Sequence, residues 1–333
     1  AHVLFVPGLW QQQFPSGNLA EQYYTCAAHA AGYWVYTFES LLEDCRKLPG
    51  YLLREPQERY WEALQLANRE LDALAASGGT HVSALRVRPF EPPLQVLNTG
   101  DIGIPALVPA PAPEAPAPGP VATPRLRYRN PLFILGKNGE PVAVTVTNAQ
   151  LANYQTRTQW ALLGPDGKPL QEGVVKLRES ATVAFTPSQD GVYALLALSG
   201  QNSQRLVVNS GQRCAFLASK EHPLIVNGIL GRVYFYVPAG VAQFSVFAKA
   251  EGQAAGRGGR LTASGPDGRP AASLAGDLGT TSELRVAVPP ELAGRVWCLS
   301  AEDVTNDLRL YLSPNIPPYV SPDPAKVLTP TGG

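Results

Sequence analysis

A turn written twice constrains this chain more than any other feature. Gly-Pro-Asp-Gly-Lys-Pro at residues 164–169 returns as Gly-Pro-Asp-Gly-Arg-Pro at residues 265–270. Proline at the second turn position fixes φ, and the glycine two residues later accepts a positive φ, so each copy predicts a hairpin. After each copy comes an apolar strand opened by glycine and centred on an aromatic, Tyr193 in residues 191–195 and Trp297 in residues 294–299. Two copies of one β-rich unit therefore fill the C-terminal two thirds, and neither copy contains a hydrolytic or redox motif.

Short apolar or alternating runs recur through this region. In the first copy they fall at residues 142–147, 159–163, 182–185, 193–198 and 205–208; in the second, at 233–237, 243–248, 260–263, 284–288, 296–299 and 308–312. Such spacing predicts antiparallel sandwiches. The N-terminal part reads differently. Residues 3–7 form an apolar strand, residues 18–31 a helix with Asn18 as cap and Glu21 three residues on, and residues 33–38 a second strand, which is βαβ patterning. From Pro56 to Gly79, Trp61, Leu64, Ala67, Leu71 and Leu74 recur at helical spacing.

The expected fold class is mainly β: two antiparallel β-sandwich domains preceded by a short α/β segment. The boundaries are an α/β segment at 1–80, an extended segment and Pro/Ala-rich linker at 81–124, sandwiches at 125–210 and 211–320, and a tail at 321–333 packed along a surface. The alternating proline and alanine of residues 109–118 cannot donate ladder hydrogen bonds at every second position and favour polyproline II, the conformation of a semi-rigid spacer.

Charge excludes some functions. Twenty-seven basic residues balance 27 acidic ones, so no global field favours nucleic acid or an anionic membrane. No apolar run reaches the length needed to cross a bilayer. The chain lacks methionine altogether, initiator included, which sets the expectation that a longer polypeptide precedes Ala1. Its four cysteines have no Cys-x-x-Cys spacing and read either as two disulfides, Cys26 with Cys45 and Cys214 with Cys298, or as four buried thiols. The four histidines are dispersed, so no metal site is expected. Residues 256–260, Gly-Arg-Gly-Gly-Arg, lack the Gly-Lys-Ser/Thr ending of a phosphate loop, and no cofactor is expected.

Residues 3–10, the helix after them and residues 32–39 together resemble the last two β/α units of a (β/α)8 barrel of the glycoside-hydrolase type. The resemblance implies that Trp10, Tyr36 and Glu39 crowd the strand ends where sugars bind, with Glu39 as a catalytic candidate. It also implies β-sandwich accessory domains after the barrel. The match is confined to residues 1–80, and a closed barrel needs eight strands, so either the remaining units lie upstream, or a partner chain supplies them, or residues 1–80 are a small α/β piece unrelated to barrels. Glycosidic cleavage also needs two carboxyl groups, and Glu39 has only Glu43 and Asp44 in the next loop.

Within the second copy, alternation puts Val233, Phe235 and Val237 on one face and Tyr234 and Tyr236 on the other. With Phe247 from the next strand these tyrosines would form an aromatic platform for a sugar ring; packing against a neighbouring domain or the tail is the alternative. The functional expectation is the C-terminal portion of a secreted or cell-surface carbohydrate-active protein. Its partners would be a polysaccharide or cell-surface glycan, with an upstream barrel or identical subunits. A non-enzymatic cell-surface or filament structural protein is the competing expectation.

Overall fold

The computed structural model describes residues 4–5, 32–33, 57–77, 97–113, 123–152, 154–228, 230–251, 259–304 and 306–331. The chain divides into two compact units, residues 1–94 with 152–154, and residues 95–151 with 155–333. In the first unit, β1 (Leu4–Phe5) and β2 (Gly32–Tyr33) pair in parallel, Leu4 with Gly32 and Phe5 with Tyr33. Helix α1 (Gln57–Ala76) buries Tyr60, Ala63, Leu64 and Ala67, the i, i+3, i+4, i+7 set of one helical face. Trp61 and Leu71 are only half-buried, so the buried stripe is rotated toward Tyr60 from the expected one. The expected helix at 18–31 lies outside the described residues, as do Trp10, Tyr36, Glu39, Cys26 and Cys45. Among the described residues no helix is long and apolar enough to cross a membrane.

The second unit is built of antiparallel strands. After β3 (Leu107–Pro109), the first copy contributes β4 (Leu126–Gly136), β5 (Val142–Ala149), β6 (Thr158–Leu163), β7 (Pro169–Val175), β8 (Ser180–Phe185), β9 (Gly191–Val208) and β10 (Cys214–Leu217). The second contributes β11 (Leu224–Asn227), β12 (Gly231–Val237), β13 (Gln243–Glu251), β14 (Gly259–Ser264), β15 (Pro270–Gly276), β16 (Ser282–Ala287), β17 (Arg295–Glu302), β18 (Asp307–Leu312) and β19 (Tyr319–Ser321), and β20 (Leu328–Pro330) closes the unit. The hairpins fall where the repeated turn requires them, between β6 and β7 and between β14 and β15. In each, the Asp side chain accepts from the backbone two residues on, Asp166 from Lys168 at 3.1 Å and Asp267 from Arg269 at 3.0 Å. Gly167 and Gly268 hold φ of 77° or close to it.

Hydrogen bonding joins the strands into two runs, each crossing both copies. One runs β7-β6-β9-β4-β10-β19-β12-β17-β14-β15, the other β8-β5-β9-β4-β11-β18-β13-β16. They face each other across one apolar core that takes Leu132, Ile134, Leu195 and Phe216 from the first copy and Val233, Phe235, Phe244, Trp297 and Leu299 from the second. Strands β4 and β9 serve both layers, bending at Tyr128 (φ 56) and Gly200 (φ 59). In the second copy the same two roles are divided between β11 and β12 and between β17 and β18, with breaks at Gly228 (φ 74) and Asp303 (φ 59). The copies meet at the antiparallel pair β10 and β19, Phe216 opposite Val320, and at β4 and β11, Leu126 opposite Val226.

Polar side chains replace the ladder where strands change layer. Asn130 Nδ2 donates to Arg127 O and its Oδ1 accepts from Ile225 N, while Gln204 Nε2 donates to both Tyr128 O and Ala197 O. Arg127 of the first copy lies 3.2 Å from Asp307 of the second, both nearly buried, and Asn227 donates to the same carboxylate.

A strap formed by residues 97–113 and the segment from β19 to β20 covers the first copy's part of the outer face of the ten-strand run and packs on Tyr234 and Val296 of the second copy. Its β3 and β20 pair with each other, and Leu107 and Leu328 are buried. Arg129 clamps it, donating to Asn98 O and to both oxygens of Asp101, and Arg213 donates to Ala110 O and Val327 O. The Arg129 hydrogen bonds hold the Asp101 carboxyl below the usual carboxylate range. A lowered carboxylate pKa stabilises the folded form above the unfolded value and loses that contribution as pH falls through the folded one. This partly exposed pair contributes on the order of 1 kcal/mol. Hydrogen-exchange protection factors across residues 97–110, taken relative to the intrinsic rate at each pH, should therefore fall as pH drops below about 4. Asp101→Asn should show low protection at every pH; an unchanged Asn variant would remove the clamp from the account.

Candidate functional site

The register fixes residue equivalences between the copies. Leu163, Ala194 and Phe133 form one cross-strand row in the first copy; the row at the same distance from the hairpin in the second is Ser264, Cys298 and Tyr234. One step along, Ala161, Leu196 and Pro131 answer to Thr262, Ser300 and Arg232, and beyond them Gln159 and Leu198 answer to Arg260 and Glu302. All of these side chains point to the outer face.

The two equivalent faces have opposite chemistry. In the first copy Phe133, Ala161, Leu163, Ala194 and Leu196 are buried beneath the strap, with Ile102, Leu107 and Leu328 upon them. In the second, hydroxyls and charges at the same positions line an open groove of about 350 Å3, walled by Pro113 and Pro324 of the strap and by Pro266 and Gly268 of the hairpin. Val296 and Tyr234 form its apolar floor, and Thr262, Ser264, Cys298 and Ser300 are half-buried in it. Arg260 and Glu302 stand opposite each other at its far end, exposed, and among the described residues neither side chain makes a hydrogen bond or ion pair.

Burial pushes the Cys298 thiol up to about 11, outweighing the Arg232 guanidinium beside it, so the thiol stays protonated at neutral pH. Burial likewise raises the Tyr234 hydroxyl. Neither group is a nucleophile here. What the groove offers is neutral hydroxyls flanked by two guanidinium groups, Arg232 and Arg260, and one carboxylate, Glu302, an arrangement for hydrogen bonding.

Two sequence expectations are corrected by these positions. Cys214 and Cys298 are free thiols: Cys214 points into the core between the layers, whereas Cys298 points to the outer face, so their Cβ vectors diverge. Nor does Phe247 join Tyr234 and Tyr236. Strands β12 and β13 are neighbours in sequence but lie in opposite layers, and Phe247 stacks instead on Tyr311 of β18, centroids 4.9 Å apart. Tyr234 is 7% exposed and packs with Tyr236 against Ala110 and Val327, the tail-packing alternative. Arg260, Thr262, Ser300 and Glu302 were not singled out by sequence. The signal was present, since residues 192–198 are apolar on both faces whereas residues 295–302 alternate.

No protein-family profile and no curated protein matches the chain. Similar solved structures include the N-terminal CBM22-1-CBM22-2 tandem domain of Xyn10C from Paenibacillus barcinonensis, 11% identical with a TM-score of 0.17, covering 60% of this chain and 81% of that one. Another is an anti-sigma factor domain-containing protein, 10% identical with a TM-score of 0.17, covering 56% and 78%. At such scores the account of this fold rests on its own strand register.

Proposed function

We propose that residues 95–333 bind carbohydrate through the open groove, as the non-catalytic part of a secreted or cell-surface carbohydrate-active protein. One observation carries the reading: a duplicated sheet face that is apolar and covered in one copy is, among the described residues, polar and open in the other. Sugar hydroxyls both donate and accept, and an array of serine and threonine hydroxyls between a guanidinium and a carboxylate can meet them in both roles. Strands hold these groups in fixed rows, so little ordering is lost on binding. On this reading glycosidic cleavage belongs to upstream sequence, and Trp10, Tyr36 and Glu39 would form one edge of its barrel.

The test is retention of the full chain on immobilised plant and bacterial polysaccharides, compared with Arg260→Ala/Glu302→Ala. Both changes are on exposed side chains and should leave the melting temperature unchanged while abolishing retention. Absence of retention on every polysaccharide, with concentration-dependent assembly of the chain instead, would select the structural-subunit reading.

A further inference from the structure

We infer that the groove holds a linear glycan in an extended, ribbon-like conformation, laid lengthwise along β17 from the Arg260 and Glu302 pair toward the hairpin at Gly268. This rests on the carbohydrate reading and names the ligand class of the same groove. Its basis is what already occupies the equivalent track. Over the first copy, the strap enters at Asn98 and Asp101, tethered by Arg129, which is paired with Leu198, the counterpart of Glu302. It passes over the apolar rows and reaches the hairpin, where Ile104 Cγ1 would lie 3.9 Å from a Cβ on Gly167, the counterpart of Gly268. The strap then continues into β3. An extended polymer therefore lies along this face before the chain turns across it into β3, where Leu107 is buried on the same rows.

In the second copy Ala110 and Val327 pack on Tyr234 and Val296, and among the described residues the rows from Cys298 to Glu302 are lined but unfilled. From Val296 to Glu302 the track runs about 20 Å, six steps of about 3.4 Å. Its outward groups return every second residue, Cys298, Ser300 and Glu302 on β17, with Ser264, Thr262 and Arg260 beside them on β14. A ribbon-like chain, as β-1,4 linkage produces, keeps its hydroxyl-bearing edges beside such a straight row. A coiled α-1,4 chain turns away from it.

The experiment is calorimetric titration of the full chain with cello-oligosaccharides and xylo-oligosaccharides from the disaccharide to the hexasaccharide, and with maltohexaose. In at least one β-1,4 series the hexasaccharide should bind at least tenfold more tightly than the disaccharide, and maltohexaose should bind at least tenfold more weakly than that hexasaccharide. Ser300→Leu installs the residue of the covered face, and Arg260→Gln installs its glutamine. Each should weaken hexasaccharide binding about tenfold, and Arg260→Gln, being exposed, keeps the test valid if the leucine perturbs folding. Equal disaccharide affinity or tighter maltohexaose binding would overturn the ribbon inference while leaving a sugar site. Full binding by a folded Arg260→Gln variant would place the site elsewhere, and no binding by any glycan would overturn both readings.

Discussion

Trp297→Ala should lower the unfolding free energy of the second unit by about 3–5 kcal/mol, read from denaturant titration, with Trp297→Phe losing much less. The indole is fully buried between the layers. It meets Phe244 edge to face at 5.4 Å, and Phe244 meets Phe235 in the same way at 5.5 Å, so its removal opens a cavity that three elements must close. Its Nε1 donates to Leu292 O at 3.0 Å, fixing the turn that precedes β17. The first copy repeats the device: Tyr193 packs on Phe185 and donates to Gln189 O at 3.1 Å. Because the core is continuous across the copies, the loss should appear as one cooperative transition at lower denaturant. A stepwise transition, with the first copy holding its original midpoint, would show that the copies unfold independently.

Asp307→Ala should have an effect of similar size, about 3–5 kcal/mol, for a different reason. Its carboxylate sits 3.2 Å from Arg127 Nε, with side-chain exposures of 13% and 10%. Arg127 also donates to Gln201 O and Tyr128 OH and lies over the Tyr128 ring, so it cannot swing into water without dismantling the bend in β4. Removing the acid alone leaves a buried guanidinium uncompensated. Replacing both partners, Arg127→Met with Asp307→Leu, should cost much less than the single change. A double variant as unstable as Asp307→Ala would mean that the hydrogen bonds of Arg127, and not its charge, hold the junction.

Much of this architecture was legible in the residues. The Gly-Pro-Asp-Gly turn located both hairpins because its chemistry is local, and alternation along residues 233–237 named the core face because strand period is local too. What stayed hidden depends on distant pairing. Residues 126–136 carry Asn130 and Pro131, which read as a strand breaker, yet Asn130 supplies by side chain the bonds that a ladder lacks. The short connection after Val237 suggested that Phe247 would lie beside Tyr234, whereas the chain there crosses between layers. Neither the pairing of β10 with β19 nor the strap has a sequence signature of its own. The candidate groove was half legible: Tyr234 was named, but the contrast that singles out Arg260, Thr262, Ser300 and Glu302 emerges only when the copies are aligned by register.

The pairing of β3 with β20 governs how this unit responds to tension. Leu107 lies opposite Pro330, and Thr331 N donates to Ala106 O, so the incoming and outgoing strands leave the pair at the same end. A pull applied between residues 106 and 331 loads these hydrogen bonds one after another, as a zipper is opened, and not all together in shear. The strap would peel first, at low force. The apolar face of the first copy would then be bared while the sandwich core behind it stayed unloaded.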